Sequence, residues 1–196
     1  MPADLAVDGD GNMLIRHTTK GDKDSNHMTI YKRLADGILE KFGRLGPQSH
    51  RDVPGYGLYV SQTTGKIYIA GGSSRVIACY STSGQEEWRV EFDLAQGPGS
   101  VPIRNTSGIT TDNRENVWVT DTAANRILCF DKNGRFLKKY GHFGTIDERN
   151  GESFCNPVGI ATASDKQGNE WLYVTDVNNQ RLKKYRIKFP GVSSPR

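Results

Sequence analysis

Four stretches of the chain resemble one another, and this repetition limits the fold more than any single residue does. They read DLAVDGDGNMLIRH (4–17), YGLYVSQTTGKIYIAGGSSRVIACYSTSG (56–84), SGITTDNRENVWVTDTAANRILCFDKNG (107–134) and VGIATASDKQGNEWLYVTDVNNQRLKKYRI (158–187). Gly57-Leu58, Gly108-Ile109 and Gly159-Ile160 open three of the units at intervals of 51 residues. Tyr31, Tyr80, Phe130 and Tyr185 close the third strand of each unit at intervals of 49, 50 and 55. Thr120-Asp121 matches Thr175-Asp176, and Arg126 and Arg181 each follow their aspartate by five positions.

Between these anchors the pattern is that of strands. Ile67-Tyr68-Ile69, Val117-Trp118-Val119 and Leu172-Tyr173-Val174 are β-branched and aromatic triplets. Turn residues separate them, as in Asp8-Gly9-Asp10-Gly11-Asn12, Thr64-Gly65 and Lys166-Gln167-Gly168-Asn169. A fourth strand is expected at Ile38–Phe42, Trp88–Phe92 and Phe136–Tyr140, and no helix-period segment of any length occurs. Four short strands per unit of about 40–50 residues are the signature of a propeller blade. The expectation is therefore an all-β propeller of about four four-stranded blades, at 4–54, 55–105, 106–155 and 156–188, in one domain spanning 1–188. The last unit stops after three strands, and 189–196 reads as a Pro/Ser tail. Four blades leave the ring incomplete or unusually small, so self-association or further domains are expected to cover its edges.

Composition excludes several classes. The net charge of +4 comes from interspersed charges, with no Lys/Arg block longer than two, so a dedicated nucleic-acid footprint is absent while an anionic partner is permitted. Three cysteines without a CxxC pair do not make a disulfide framework or a cysteine zinc site. Cys79 and Cys129 occupy matching repeat positions and read as small buried strand residues. No apolar run reaches membrane-spanning length and the polar start is not a leader, so no membrane insertion and a cytoplasmic location are expected.

The fourth unit, with Pro157, Gly159, Ile160, Ala161, Gly168, Asn169, Tyr173, Val174, Asp176, Asn179, Arg181 and Tyr185, resembles the NHL repeat. The third unit resembles it through Gly108, Ile109, Asn116, Trp118, Val119, Asp121, Asn125, Arg126 and Phe130. The second unit matches less well, and the first lacks the Asp/Arg pair. The resemblance implies a β-propeller that usually closes with more than four blades. It also implies a non-enzymatic interaction scaffold whose face binds a protein partner or, in the sharper version, structured RNA. Peptide-amidating lyases resemble the same propellers and carry zinc-binding histidines just before the Gly-Leu/Ile pair. Those positions here are Tyr56, Ser107 and Val158, none of them histidine, which counts against the lyase; a metal-dependent lyase or lactonase-like hydrolase is kept as the alternative, and no metal or cofactor is expected.

The candidate site residues follow from the same layout. Asp121 and Asp176 are expected to accept hydrogen bonds from the turn after the second strand and to pair with Arg126 and Arg181. The segment 8–12 lacks the glycine and glutamate of a calcium loop and reads as a hairpin turn. What remains is a mixed-charge loop face. Its basic members, Arg75, Arg104, Arg126, His142, Arg149 and Arg181, are the candidate binding residues, with no catalytic residue and no metal ligand assigned.

Overall fold

The computed structural model describes residues 2–11, 13–17, 28–33, 39–45, 57–71, 75–91, 103–145 and 151–188. Among them there is no α-helix; the architecture is a series of antiparallel sheets with β-propeller-like organisation. The first sheet runs in chain order through β1 (Pro2–Val7), β2 (Met13–His17), β3 (Met28–Arg33) and β4 (Leu39–Leu45). The second does the same with β5 (Gly57–Val60), β6 (Ile67–Gly71), β7 (Val76–Tyr80) and β8 (Glu86–Glu91). The third comprises β9 (Thr106–Thr111), β10 (Val117–Asp121), β11 (Arg126–Phe130) and β12 (Phe136–Tyr140).

Two short strands, β13 (His142–Phe143) and β14 (Ser153–Phe154), then pair in parallel, a feature the repeat does not announce. The fourth sheet has three strands, β15 (Pro157–Ser164), β16 (Glu170–Asp176) and β17 (Arg181–Arg186), as the repeat predicts. The segment Asp8–Gly11 is the expected hairpin turn, closed by the Gly11 N–H donating to the Asp8 carbonyl at 3.1 Å. The tail at 189–196 and the loop at 18–27 lie outside the described residues.

Alternation along each strand sends one set of side chains to the preceding sheet and the other to the following one. Leu58, Val60, Ile67, Ile69, Val76, Ala78 and Tyr80 pack toward Leu14 of the first sheet. Tyr68, Ala70, Ile77 and Cys79 pack on Val117, Val119, Leu128 and Phe130 of the third. Trp118, Ile127 and Cys129 pack on Phe154, Leu172 and Val174. Because β6, β7, β10 and β11 are covered on both faces, they read as continuous apolar runs. Cys79 and Cys129 are fully buried, and burial pushes both thiols up to about 12.

The glycine anchors have a geometric cause. The innermost strands approach so closely that a Cβ on Gly57 would lie 2.8 Å from the Ser107 carbonyl oxygen. One on Gly108 would lie 2.5 Å from the Val158 carbonyl oxygen. At the two ends of the series the inter-sheet faces stay open: Leu5 and Val7 on β1, and Leu182 on β17, are exposed large apolar side chains. Leu182 stands where the third sheet has buried Ile127, by the register Thr175–Leu182 and Thr120–Ile127.

Candidate interaction face

In the third and fourth sheets the turn between the second and third strands lies at the same edge as the segment leading into the first strand. The Thr122 N–H donates to the Asn105 carbonyl at 2.7 Å and the Val177 N–H to the Asn156 carbonyl at 3.2 Å. Asp121 and Asp176 end β10 and β16 at this edge, both fully buried. Asp121 Oδ1 accepts the backbone N–H of Arg104 at 3.0 Å and of Asn105 at 3.1 Å, while Oδ2 accepts Arg126 Nε at 2.9 Å. Asp176 repeats the plan, with the Cys155 N–H at 2.6 Å on Oδ1 and Arg181 Nε at 2.8 Å and Asn179 Nδ2 at 2.9 Å on Oδ2. The Asp/Arg pairing expected from spacing is present. The backbone donors are different: they come from the chain arriving from the previous sheet, not from the turn ahead. Each aspartate thereby ties the inter-sheet link to the sheet it enters.

This places the candidate residues in two groups. Arg126 and Arg181 are only 14% and 23% exposed at their side chains and are tied to buried carboxylates, and Arg181 also donates to the Ser153 carbonyl at 3.0 Å. Arg75 and Arg104 depart from the repeat. The register Gly71–Val76, Asp121–Arg126 and Asp176–Arg181 puts Gly71 and Val76 where the third and fourth sheets have the pair. Arg75 takes the left-handed position (φ 57°) that Asn125 (φ 54°) and Gln180 (φ 49°) hold. Among the described residues its Nε is buried without a hydrogen-bond partner, as are Asn105 Oδ1 and Thr106 Oγ1.

Those atoms belong to corresponding places. At the next junction the Asn156 N–H donates to Asn125 Oδ1 at 2.8 Å, and Asn105 and Arg75 are the counterparts of that pair. Arg104 stands where the fourth sheet has Cys155, with its side chain exposed. His142 lies on β13, away from this turn edge in sequence and exposed. Arg149 lies outside the described residues.

The opposite edge carries a second recurring constellation, missed in the sequence. Asp112 accepts from the N–H groups of Arg114 and Asn116, from Asn116 Nδ2 and from Trp118 Nε1, each side-chain or backbone bond near 3 Å. Asp165 does the same with Gln167, Asn169 and Trp171. Donation from Trp171, then from Asn169, holds the Asp165 carboxyl down to about 2. The signal was an aspartate followed by asparagine four positions on and tryptophan six positions on, at 112 and again at 165.

The second sheet has Ser61 in place of this aspartate, and the missing carboxylate comes from the neighbouring sheet. Glu115 accepts from Ser61 Oγ at 2.7 Å, Thr64 Oγ1 at 3.1 Å and Tyr68 Oη at 3.0 Å. Tyr68 takes the tryptophan's place, and burial raises its hydroxyl above the ordinary range. Glu115 has φ 59° where the corresponding turns have Gly11, Gly65 and Gly168 at positive φ. A strained backbone is held there by the bonds its side chain makes.

Among the described residues no three histidine, cysteine or acidic side chains stand together as a metal site requires. No helix among them is long and apolar enough to cross a membrane. No protein-family model matches the chain, and no curated protein matches it. Solved structures do. One, described as a streptogramin B lyase, superposes with a TM-score of 0.57 at 20% identity, over 95% of this chain and 54% of the other. A protein of unknown function from Bacteroides caccae superposes with a TM-score of 0.52 at 13% identity, over 94% of this chain and 60% of the other. The class defined is thus an all-β, β-propeller-like fold. The chain spans between half and two thirds of the length of these solved structures.

Proposed function

We propose that the chain is a non-enzymatic interaction scaffold of the NHL-repeat propeller kind, whose turn edge at the second and third sheets engages a protein partner. One observation carries the reading: the Asp/Arg pairs that follow the repeat are consumed by the scaffold, whereas Arg75 and Arg104 stand where the matching positions of the third and fourth sheets carry no cation. Asp121 and Asp176 are fully buried and bound to Arg126 and Arg181. The counterparts of Arg75 are Asn125 and Gln180 and that of Arg104 is Cys155, none of them cationic, and among the described residues the buried polar atoms without hydrogen-bond partners are on Arg75, Asn105 and Thr106. A buried donor or acceptor left unpaired costs about 1–3 kcal/mol. The three thiols are free, which supports a cytoplasmic setting.

RNA is the second reading, supported by the positive sign of Arg75, Arg104 and the nearby framework. The enzyme alternative draws support from the neighbour described as a streptogramin B lyase, a likeness that at 20% identity concerns the fold. The test is a photo-crosslinking residue placed at Arg104 or, on the opposite edge, at Lys166, in extract. The expected result is an adduct at position 104 that is destroyed by protease, resists nuclease, and disappears in the Arg75→Asn background. A nuclease-sensitive adduct with steep salt dependence selects RNA. Equal adducts from both edges, or stoichiometric zinc or calcium with substrate turnover, overturn the scaffold reading.

A further inference from the structure

We infer that the cavity between the first and second sheets is a second binding site, which takes an arylalkylamine, an aromatic ring joined to an ammonium group by a short chain. The cavity encloses about 320 Å³ between the apolar Leu14, Val60 and Ile67 and the polar Asp8, Asp10 and Ser61. The repeat shows what this place holds elsewhere. The register pairs Ala6–Leu14, Tyr59–Tyr68, Thr110–Trp118 and Ala163–Trp171 set Leu14 where each later sheet has a ring with a polar hydrogen. Trp118 and Trp171 donate Nε1 to Asp112 and Asp165 at 2.9 Å, and Tyr68 donates its hydroxyl to Glu115 at 3.0 Å.

The first sheet keeps the carboxylate and has leucine in place of the ring. Asp8 precedes Leu14 by six positions, as Asp112 and Asp165 precede their tryptophans. Asp8 Oδ1 accepts the Asp10 N–H at 3.1 Å, the bond that Asp112 takes from Arg114 and Asp165 from Gln167. Bonds from other donors do not exclude a ligand at Asp8, because a carboxylate offers about four acceptor sites. Asp112 holds two turn N–H groups, the Asn116 amide and the Trp118 indole together. Leu14 is buried, but its side chain is shorter than an indole, and the cavity lies beside it.

Size and polarity define the occupant. Ligand sites run from about 300 to 1,000 Å³, so this cavity suits one ring system with a short side chain. Leu14, Val60 and Ile67 give the ring an apolar wall, and the ionisable groups that line the cavity, Asp8 and Asp10, are both acidic. The adjacent Lys66 turns to Glu87 at 2.6 Å. Ser61 and Thr64, also in the lining, give their hydroxyl protons to Glu115, so toward a ligand they can only accept. A ring bearing an ammonium group supplies the missing ring and brings donors to a lining rich in acceptors.

The full chain, labelled with nitrogen-15, is titrated with tryptamine, indole-3-propionate and propylamine, following the Gly9 and Gly65 backbone signals. Tryptamine is expected to shift both at submillimolar concentration. Indole-3-propionate, with the charge reversed, and propylamine, without the ring, are each expected to bind weaker by about tenfold or more. Asp8→Asn is expected to weaken tryptamine by about tenfold while the Trp171 indole signal, which reports folding, stays in place. Leu14→Trp restores the ring of the later sheets; it is expected to abolish the shifts and raise the melting temperature. No shift at millimolar tryptamine, equally tight binding of either control amphiphile, or undiminished binding in Leu14→Trp each overturns the assignment. Undiminished binding in folded Asp8→Asn overturns it as well, even where Leu14→Trp fails to fold.

Discussion

Glu115 is the residue whose replacement tests the reading of the scaffold most sharply. In Glu115→Gly the turn gains the residue type found at Gly11, Gly65 and Gly168, which relieves about 1 kcal/mol of left-handed backbone strain. The same change removes the acceptor for Ser61 Oγ, Thr64 Oγ1 and Tyr68 Oη. Hydrogen bonds to a charged group contribute about 1.5–3 kcal/mol each, less where solvent reaches them as at Thr64. Tyr68 is fully buried, so its hydroxyl loses its acceptor without gaining water.

The bonds outweigh the strain, and the net loss is about 2 kcal/mol, a fall in melting temperature of roughly 4–8 °C for a domain of this size. Ser61→Asp alone brings a second carboxylate against Glu115 and is also destabilising. The double variant Ser61→Asp/Glu115→Gly rebuilds the arrangement of Asp112 and Asp165 and returns to within about 1 kcal/mol of the parent. The assay is urea unfolding of all four proteins followed by tryptophan fluorescence. Glu115→Gly unfolding at the parent's midpoint or later, or a double variant that is merely the sum of the singles, would refute the reasoning.

Three further outcomes are expected. Asp121→Ala leaves the Arg126 guanidinium and the N–H groups of Arg104 and Asn105 without their buried acceptor, and costs about 3–5 kcal/mol in a denaturant titration. The Asp165 carboxyl is held down to about 2 in the folded chain, below its unfolded value. Its contribution is thus present above about pH 4 and fades as pH falls toward 2, read as loss of the downfield Trp171 indole N–H signal before the Trp88 signal. Native protein should react with one equivalent of a thiol reagent at neutral pH, at half-buried Cys155, because burial keeps Cys79 and Cys129 protonated; three equivalents should appear on unfolding.

The strands and turns were legible because the repeat prints them four times, and a buried strand such as Val117-Trp118-Val119 looks the same wherever it occurs. The Asp121–Arg126 and Asp176–Arg181 pairs were legible for the same reason. Their backbone donors were not, because Arg104 and Asn105 lie 17 and 16 residues before Asp121 and come beside it only when the sheet forms. The exchange of Ser61 for Glu115 was hidden more deeply: two departures from the repeat, 54 residues apart, compensate only across a sheet junction. Parallel pairing of β13 with β14 had no periodic signal, since each strand is two residues long.

The Asp/Arg pairs that follow the repeat hold the scaffold together, and the proposed interaction face requires that Arg104, a cation that breaks the repeat, does not. Thermal unfolding of Arg126→Ala beside Arg104→Ala tests it most directly. Arg126→Ala is expected to melt several degrees lower, having stripped the buried Asp121 of its counter-ion, while Arg104→Ala melts with the parent. Equal melting of Arg126→Ala and the parent, or a large fall for Arg104→Ala, would contradict it.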